Sequence, residues 1–149
     1  MNITKSIIAQ ILLAFLLFLV QGCTNSGSPK NPVKLKQYMV EGLNLYRQHC
    51  ANCHQVDGRG LAKLVPPLKD ADYLKSLKSE EFACQIKYGL DGEIKVNGIL
   101  FNQPMLGNPL LTPLEIAEII TYVNNTWGRE DGIFEVKNAE KALNICEAE

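Results

Sequence analysis

A single pentapeptide constrains this chain more than anything else in it: Cys50-Ala51-Asn52-Cys53-His54. Two thiols with two residues between them fall on one turn of helix, and an imidazole follows at once, so one short piece of backbone must present three reactive groups together. Three kinds of chemistry use such a set. A redox-active thiol pair needs a βαβ pattern around it, and none is read here. Half of a zinc site needs two more ligands nearby, but His49 stands directly beside Cys50, and Cys84 and Cys146 are single and distant. Two-point covalent attachment of a flat prosthetic group needs only these residues and a pocket around them. The pattern occurs once, and no internal repeat accompanies it.

The rest of the chain bounds what can be built around that turn. A length of 149 residues with 46% hydrophobic composition suits one small domain plus an appendage. The formal net charge of -1, without a basic run, argues against a nucleic-acid partner. The N-terminus is set apart from the fold. Lys5 is the only charge before residue 30, and Ile7 to Val20 is apolar except for Gln10, the length of a signal-peptide hydrophobic region. The stretch leads into Val20-Gln21-Gly22-Cys23, which resembles a bacterial lipobox, although Val20 and Gln21 depart from its usual residues. The resemblance implies a signal peptide over residues 1–22 and lipid on Cys23; an uncleaved N-terminal anchor is the alternative. Both place the remainder outside the cytoplasm, on the periplasmic side of a bacterial membrane. Residues 23–36 then read as a lipidated N-terminus and flexible tether, rich in Ser, Asn, Gly and Pro.

The periodicity predicts helices and no convincing strand pair, so the expected class is all-α. A first helix is expected over about residues 37–50, with Met39, Leu43 and Tyr46 on one face. Gly42 interrupts that face, as where another helix crosses closely. Residues 55–70 read as loop. A short helix is expected over Ser79–Tyr88, with Ser79 as N-cap and Gly89 as stop. Residues 89–111 read as irregular chain. A strong helix should start at Thr112-Pro113 and end near Trp127-Gly128, with a weaker one over Asn138–Ile145. A domain over 37–128 with a C-terminal extension over 129–149 follows.

From about Tyr38 to Gly128 the chain resembles class I cytochromes c, small helical domains around one covalent haem with His/Met ligation. Cys50-Ala51-Asn52-Cys53-His54 matches the attachment signature. Gly42 and Tyr46 stand eight and four residues before the first Cys, as a Gly and an aromatic do in that family. Ile119 and Tyr122 match the pair on the helix that crosses there, and Trp127-Gly128 resembles the closure of that helix in some bacterial members. The resemblance implies haem c bound through Cys50 and Cys53, His54 as proximal iron ligand, and Pro66 accepting the proximal imidazole N–H. It further implies that Leu68 packs on the porphyrin and that Met105, after Pro104 in an irregular loop, is the sixth ligand. The implied activity is electron transfer between redox partner proteins with no catalytic residues. Two alternatives stay open: a dedicated subunit of a larger oxidoreductase complex, or a haem sensor or enzyme with an open sixth site.

The cysteine count carries one more expectation. Five cysteines divide into one lipid acceptor, two haem anchors and two left over, and in an oxidising compartment Cys84 and Cys146 are expected to pair. Two separate buried thiols are the alternative.

Overall fold

The computed structural model describes residues 31–146. The expectations for Cys23, the signal peptide and residues 23–30 of the tether lie outside the described residues. Among the described residues six helices carry the fold: α1 (Pro32–His49), α2 (Ala51–His54), α3 (Asp72–Ser76), α4 (Ser79–Tyr88), α5 (Pro113–Trp127) and α6 (Val136–Cys146). Two antiparallel two-stranded ladders interrupt the helical order between α4 and α5. β1 (Gly89–Leu90) pairs with β4 (Met105–Leu106), and β2 (Ile94–Val96) pairs with β3 (Ile99–Phe101). The fold is thus predominantly helical, as expected, with short ladders where irregular chain was expected. Three-residue strands are too short to show alternation, which is why the sequence pattern does not display them.

The core is organised around the crossing of α1 and α5. At the crossing, a Cβ on Gly42 would collide with the Glu118 carbonyl and stand 2.6 Å from the Cβ of Tyr122, so only glycine permits the approach. One turn further along α1, fully buried Tyr46 meets Tyr122 at 5.6 Å and Trp127 at 5.2 Å between ring centroids, in tilted and edge-on geometry. Ile116, Ile119, Ile120 and Val123 of α5 complete the centre with Phe82 and Ile86 of α4. The α5 start is secured by a capping box. Glu115 N–H donates to the Thr112 hydroxyl, while the Thr112 N–H and hydroxyl donate to the Glu115 carboxylate at 2.7 and 2.8 Å.

Several details differ from the sequence reading, including the last helix, which runs from Val136 to Cys146 rather than over Asn138–Ile145. α1 starts at Pro32, capped by the Asn31 side chain accepting from the Lys34 N–H at 3.0 Å, so residues 32–36 are helix rather than tether. Pro at the first helical position and Asn before it are start signals that the surrounding turn-forming residues obscure. α4 is preceded by Lys78, and Ser79 is its first residue rather than its cap. The Ser79 hydroxyl is engaged elsewhere, accepting from Asn124 Nδ2 at 3.0 Å. Finally, α3 lies in chain for which no helix is expected; five residues are too few to carry a helical period.

The chain after Trp127 packs back on the domain. Arg129 donates from Nη1 to the carbonyls of Leu74 (3.0 Å), Lys75 (3.1 Å) and Leu77 (2.6 Å), closing the C-terminal end of α3. Phe134 N–H donates to the Thr121 hydroxyl, and the Lys34 ammonium pairs with Glu135 at 2.5 Å. α6 buries Ala139, Ala142 and Leu143 and carries Cys146 to Cys84 on α4, with their Cα atoms 6.0 Å apart.

Candidate functional site

The pentapeptide sits where α1 ends. The Cys50 N–H still donates to the Tyr46 carbonyl at 2.8 Å, and the Cys50 carbonyl accepts from Cys53 (3.1 Å) and His54 (2.9 Å), closing α2 as one tight turn. Because Tyr46 is locked under Tyr122 and Trp127, the turn that follows it inherits the rigidity of the α1–α5 crossing. The Tyr46 hydroxyl reaches back to donate to the Gln55 carbonyl at 2.6 Å, so one buried ring braces both ends of the motif.

Within the turn, His54 Nδ1–H donates to the Pro66 carbonyl at 3.2 Å; a carbonyl only accepts, so the proton is on Nδ1 and the Nε2 lone pair is free. Burial pushes the His54 pKa below its ordinary value, with the Pro66 bond opposing, and this keeps the ring neutral, the form that ligates a metal. Burial likewise pushes the Cys50 thiol up to about 12, with the neighbouring Cys53 adding to the shift. A thiol-exchange pair needs the opposite shift, toward thiolate, so the local electrostatics disfavour that reading. Among the described residues, no three His, Cys, Asp or Glu side chains are grouped so as to hold a metal ion.

The loop that follows is folded back onto the turn. Gly60 N–H donates to the His54 carbonyl at 2.9 Å, and the Leu68 and Lys69 N–H groups converge on the Gly58 carbonyl at 2.8 and 2.9 Å. Gly58 has φ +72, and a Cβ there would press on the Trp127 ring at 2.8 Å. This packing delivers Pro66 to His54 and leaves Leu68 half-buried against the core. Met105 arrives from the other direction. It is half-buried in β4 opposite Leu90, and its segment is tied to the attachment turn by the contact of Asn108 Nδ2 with His49 Nδ1 at 3.3 Å. The structure therefore brings Cys50, Cys53, His54 and Pro66 into one unit, places Leu68 on its flank, and tethers the Met105 segment beside it. Arg59, in the loop after His54, pairs with Asp57 at 3.2 Å.

The surroundings fit a large, flat, apolar group. Val56, Leu61 and Leu64 in the loop after His54, and Ile99, Leu100, Leu106 and Leu110 around Met105, are all exposed, the last two by 88% and 89%. These exposed apolar side chains lie in the two segments that run beside the attachment turn, where an apolar group could cover some of them.

That combination of turn, braced imidazole and apolar flanks defines a haem-attachment domain, and comparison with known proteins agrees: residues 39–127 match the family model of cytochrome c. The chain belongs to the cytochrome c family. It is 34% identical over 92 residues to a cytochrome c-552 of Thermus thermophilus, covering 60% of this chain and 70% of that protein. A second cytochrome c-552, from a particular strain of the same species, is also 34% identical over 92 residues, which span 62% of its length. Membership carries with it covalent haem c and a role in electron transport.

Proposed function

We propose that this protein is a monohaem electron carrier, held at the periplasmic face of a bacterial membrane by lipid on Cys23, that passes single electrons between redox partner proteins. A bound haem c supplies the Fe(III)/Fe(II) couple. The observation that carries the reading is the His54–Pro66 bond, which fixes a neutral imidazole with its Nε2 lone pair free beside two thiols on one turn. Cys50 and Cys53 would hold the group through two thioethers, and His54 would be its proximal ligand. Leu68 and the exposed leucines of both flanking segments would cover its faces. Met105 is the sixth ligand in this reading: it is half-buried and on the segment tied to the attachment turn, and a soft thioether favours the reduced metal. The C-terminal extension is packed on the domain through α6, Arg129 and Phe134, which supports a self-contained carrier over a subunit of a larger complex. We further infer that Cys84 and Cys146 are closed as a disulfide, since their Cα separation lies within the range such bonds take.

The test is the intact mass of protein taken from membranes, with a redox titration of the same material. The reading expects one haem per chain, lipid at an N-terminal Cys23, and a one-electron couple. Stoichiometric zinc without a haem signal would overturn the function, and retention of residues 1–22 would replace the lipid anchor by an uncleaved one.

A further inference from the structure

We propose that Asn108 and His49 form a latch that positions the Met105 segment, and that only the neutral His49 ring closes it. The proposal rests on Met105 being the sixth ligand, and its test separates the two.

The segment's other ties run to β1, to α4 and, through buried Leu111, to the core. β1 and β4 are two residues each. Gly89 and Gly107 let the two backbones pass so closely that a Cβ on either would strike the other strand. Beyond Gly107, Asn108 N–H donates to the Ile86 carbonyl at 2.9 Å, and Lys87 Nζ donates to the carbonyls of Pro109 at 2.7 Å and Leu111 at 2.8 Å. All of these join the segment to α4. The hydrogen bond from Asn108 to His49 at 3.3 Å joins it to α1, one residue before Cys50. It therefore bridges the chain that attaches the haem and the chain that offers the sixth ligand.

The polarity of that bond is fixed by its neighbour. Leu110 N–H donates to Asn108 Oδ1 at 3.2 Å, which turns the amide NH2 toward the imidazole. An amide NH2 only donates, so His49 Nδ1 must accept and cannot carry a proton. Protonating the ring would set two donors against each other. Glu115, in the first turn of α5, is close enough to His49 and to Lys87 of α4 to feel both charges, and Arg47 stands two residues before His49 on its own helix. Protonating the ring should open the latch and free the Met105 segment, while the proximal side stays closed.

The experiment uses the haem-loaded protein. It measures imidazole binding to the oxidised form, the far-red band of Met–Fe(III) coordination, and amide hydrogen exchange over residues 105–111. Asn108→Ala and His49→Leu should keep the haem attached, tighten imidazole binding about fivefold, the effect of losing one hydrogen bond of ordinary net strength, and speed exchange in that segment. His49→Gln, whose side-chain oxygen accepts at any pH, should behave as wild type at neutral pH and should lose the wild type's increase in imidazole affinity on acidification. Unchanged affinity and exchange in Asn108→Ala, or the same acid response in His49→Gln as in wild type, would overturn the latch. A missing far-red band in wild type would overturn Met105 as ligand, and the exchange data would still decide whether the latch exists.

Discussion

The two sides of the proposed haem site are held in very different ways. On the proximal side, Cys50, Cys53 and His54 extend a helix locked by Gly42, Tyr46, Tyr122 and Trp127, and the following loop is bonded back through Gly58, Gly60 and Pro66. On the distal side, Met105 lies in a two-residue strand with exposed Leu106 next to it, fastened by a lysine, an asparagine and two close-passing glycines. A carrier that cycles one electron needs its metal geometry nearly the same in both oxidation states. The comparison teaches that the Cys50–His54 side is fixed by core packing while the Met105 side hangs on a few hydrogen bonds, so in the proposed reading the coordination would open from the Met105 side.

The largest effect should come from breaking the proximal side. Cys50→Ala or Cys53→Ala should abolish normal two-bond haem incorporation, and His54→Ala should give no stable low-spin product. Mass and the pyridine haemochrome spectrum of the purified protein read both.

Next in size is the proposed Cys84–Cys146 disulfide between α4 and α6. Cys84→Ser or Cys146→Ser should cost about 4 kcal/mol in the chain-entropy account of a 62-residue closed loop, read as a lower denaturant midpoint. Intact mass should rise by about two units on reduction of the unmutated protein, the two hydrogens of the opened disulfide.

Gly42→Ala attacks the crossing itself, where the opposing atoms are backbone and cannot swing away. About 3 kcal/mol of stability should be lost. If the two sides are as separate as described, the midpoint potential of the folded fraction should change little.

The smallest effect is at the α5 start. The Glu115 carboxylate is held below its ordinary range by hydrogen bonds from the Thr112 N–H and hydroxyl. Its folded-state pKa is depressed, so its contribution is present above the ordinary carboxylate pKa and fades as pH falls through the depressed value. Thr112→Ala should cost about 1 kcal/mol near neutral pH, and less in acid, in unfolding measured across pH.

The proximal side is legible in the sequence because its chemistry demands fixed spacing. The two thiols and the imidazole must share a turn, Gly42 must admit a helix, and Thr112-Pro113 with Glu115 spells a helix start. Pro66 comes through family resemblance, and the structure places its carbonyl on His54. The distal side is legible only as a methionine in irregular chain. Ladders of two or three residues leave no period, and the Asn108–His49 contact joins positions 59 apart, which no local pattern can reveal. The Asn31–Pro32 start is hidden because the preceding Ser, Gly and Pro residues favour a turn there too. Ser79 misleads as a cap because its hydroxyl serves Asn124, on a different helix.

The central claim, a haem fixed by Cys50, Cys53 and His54 and completed by Met105, is tested most directly by comparing oxidised wild type with Met105→Ala in absorbance and midpoint potential. The account predicts a far-red Met–Fe(III) band in wild type. In the variant, that band should vanish while the haem stays attached, and the potential should fall, because a thioether ligand raises it. An unchanged spectrum and potential in the variant, or no such band in wild type, would contradict the claim.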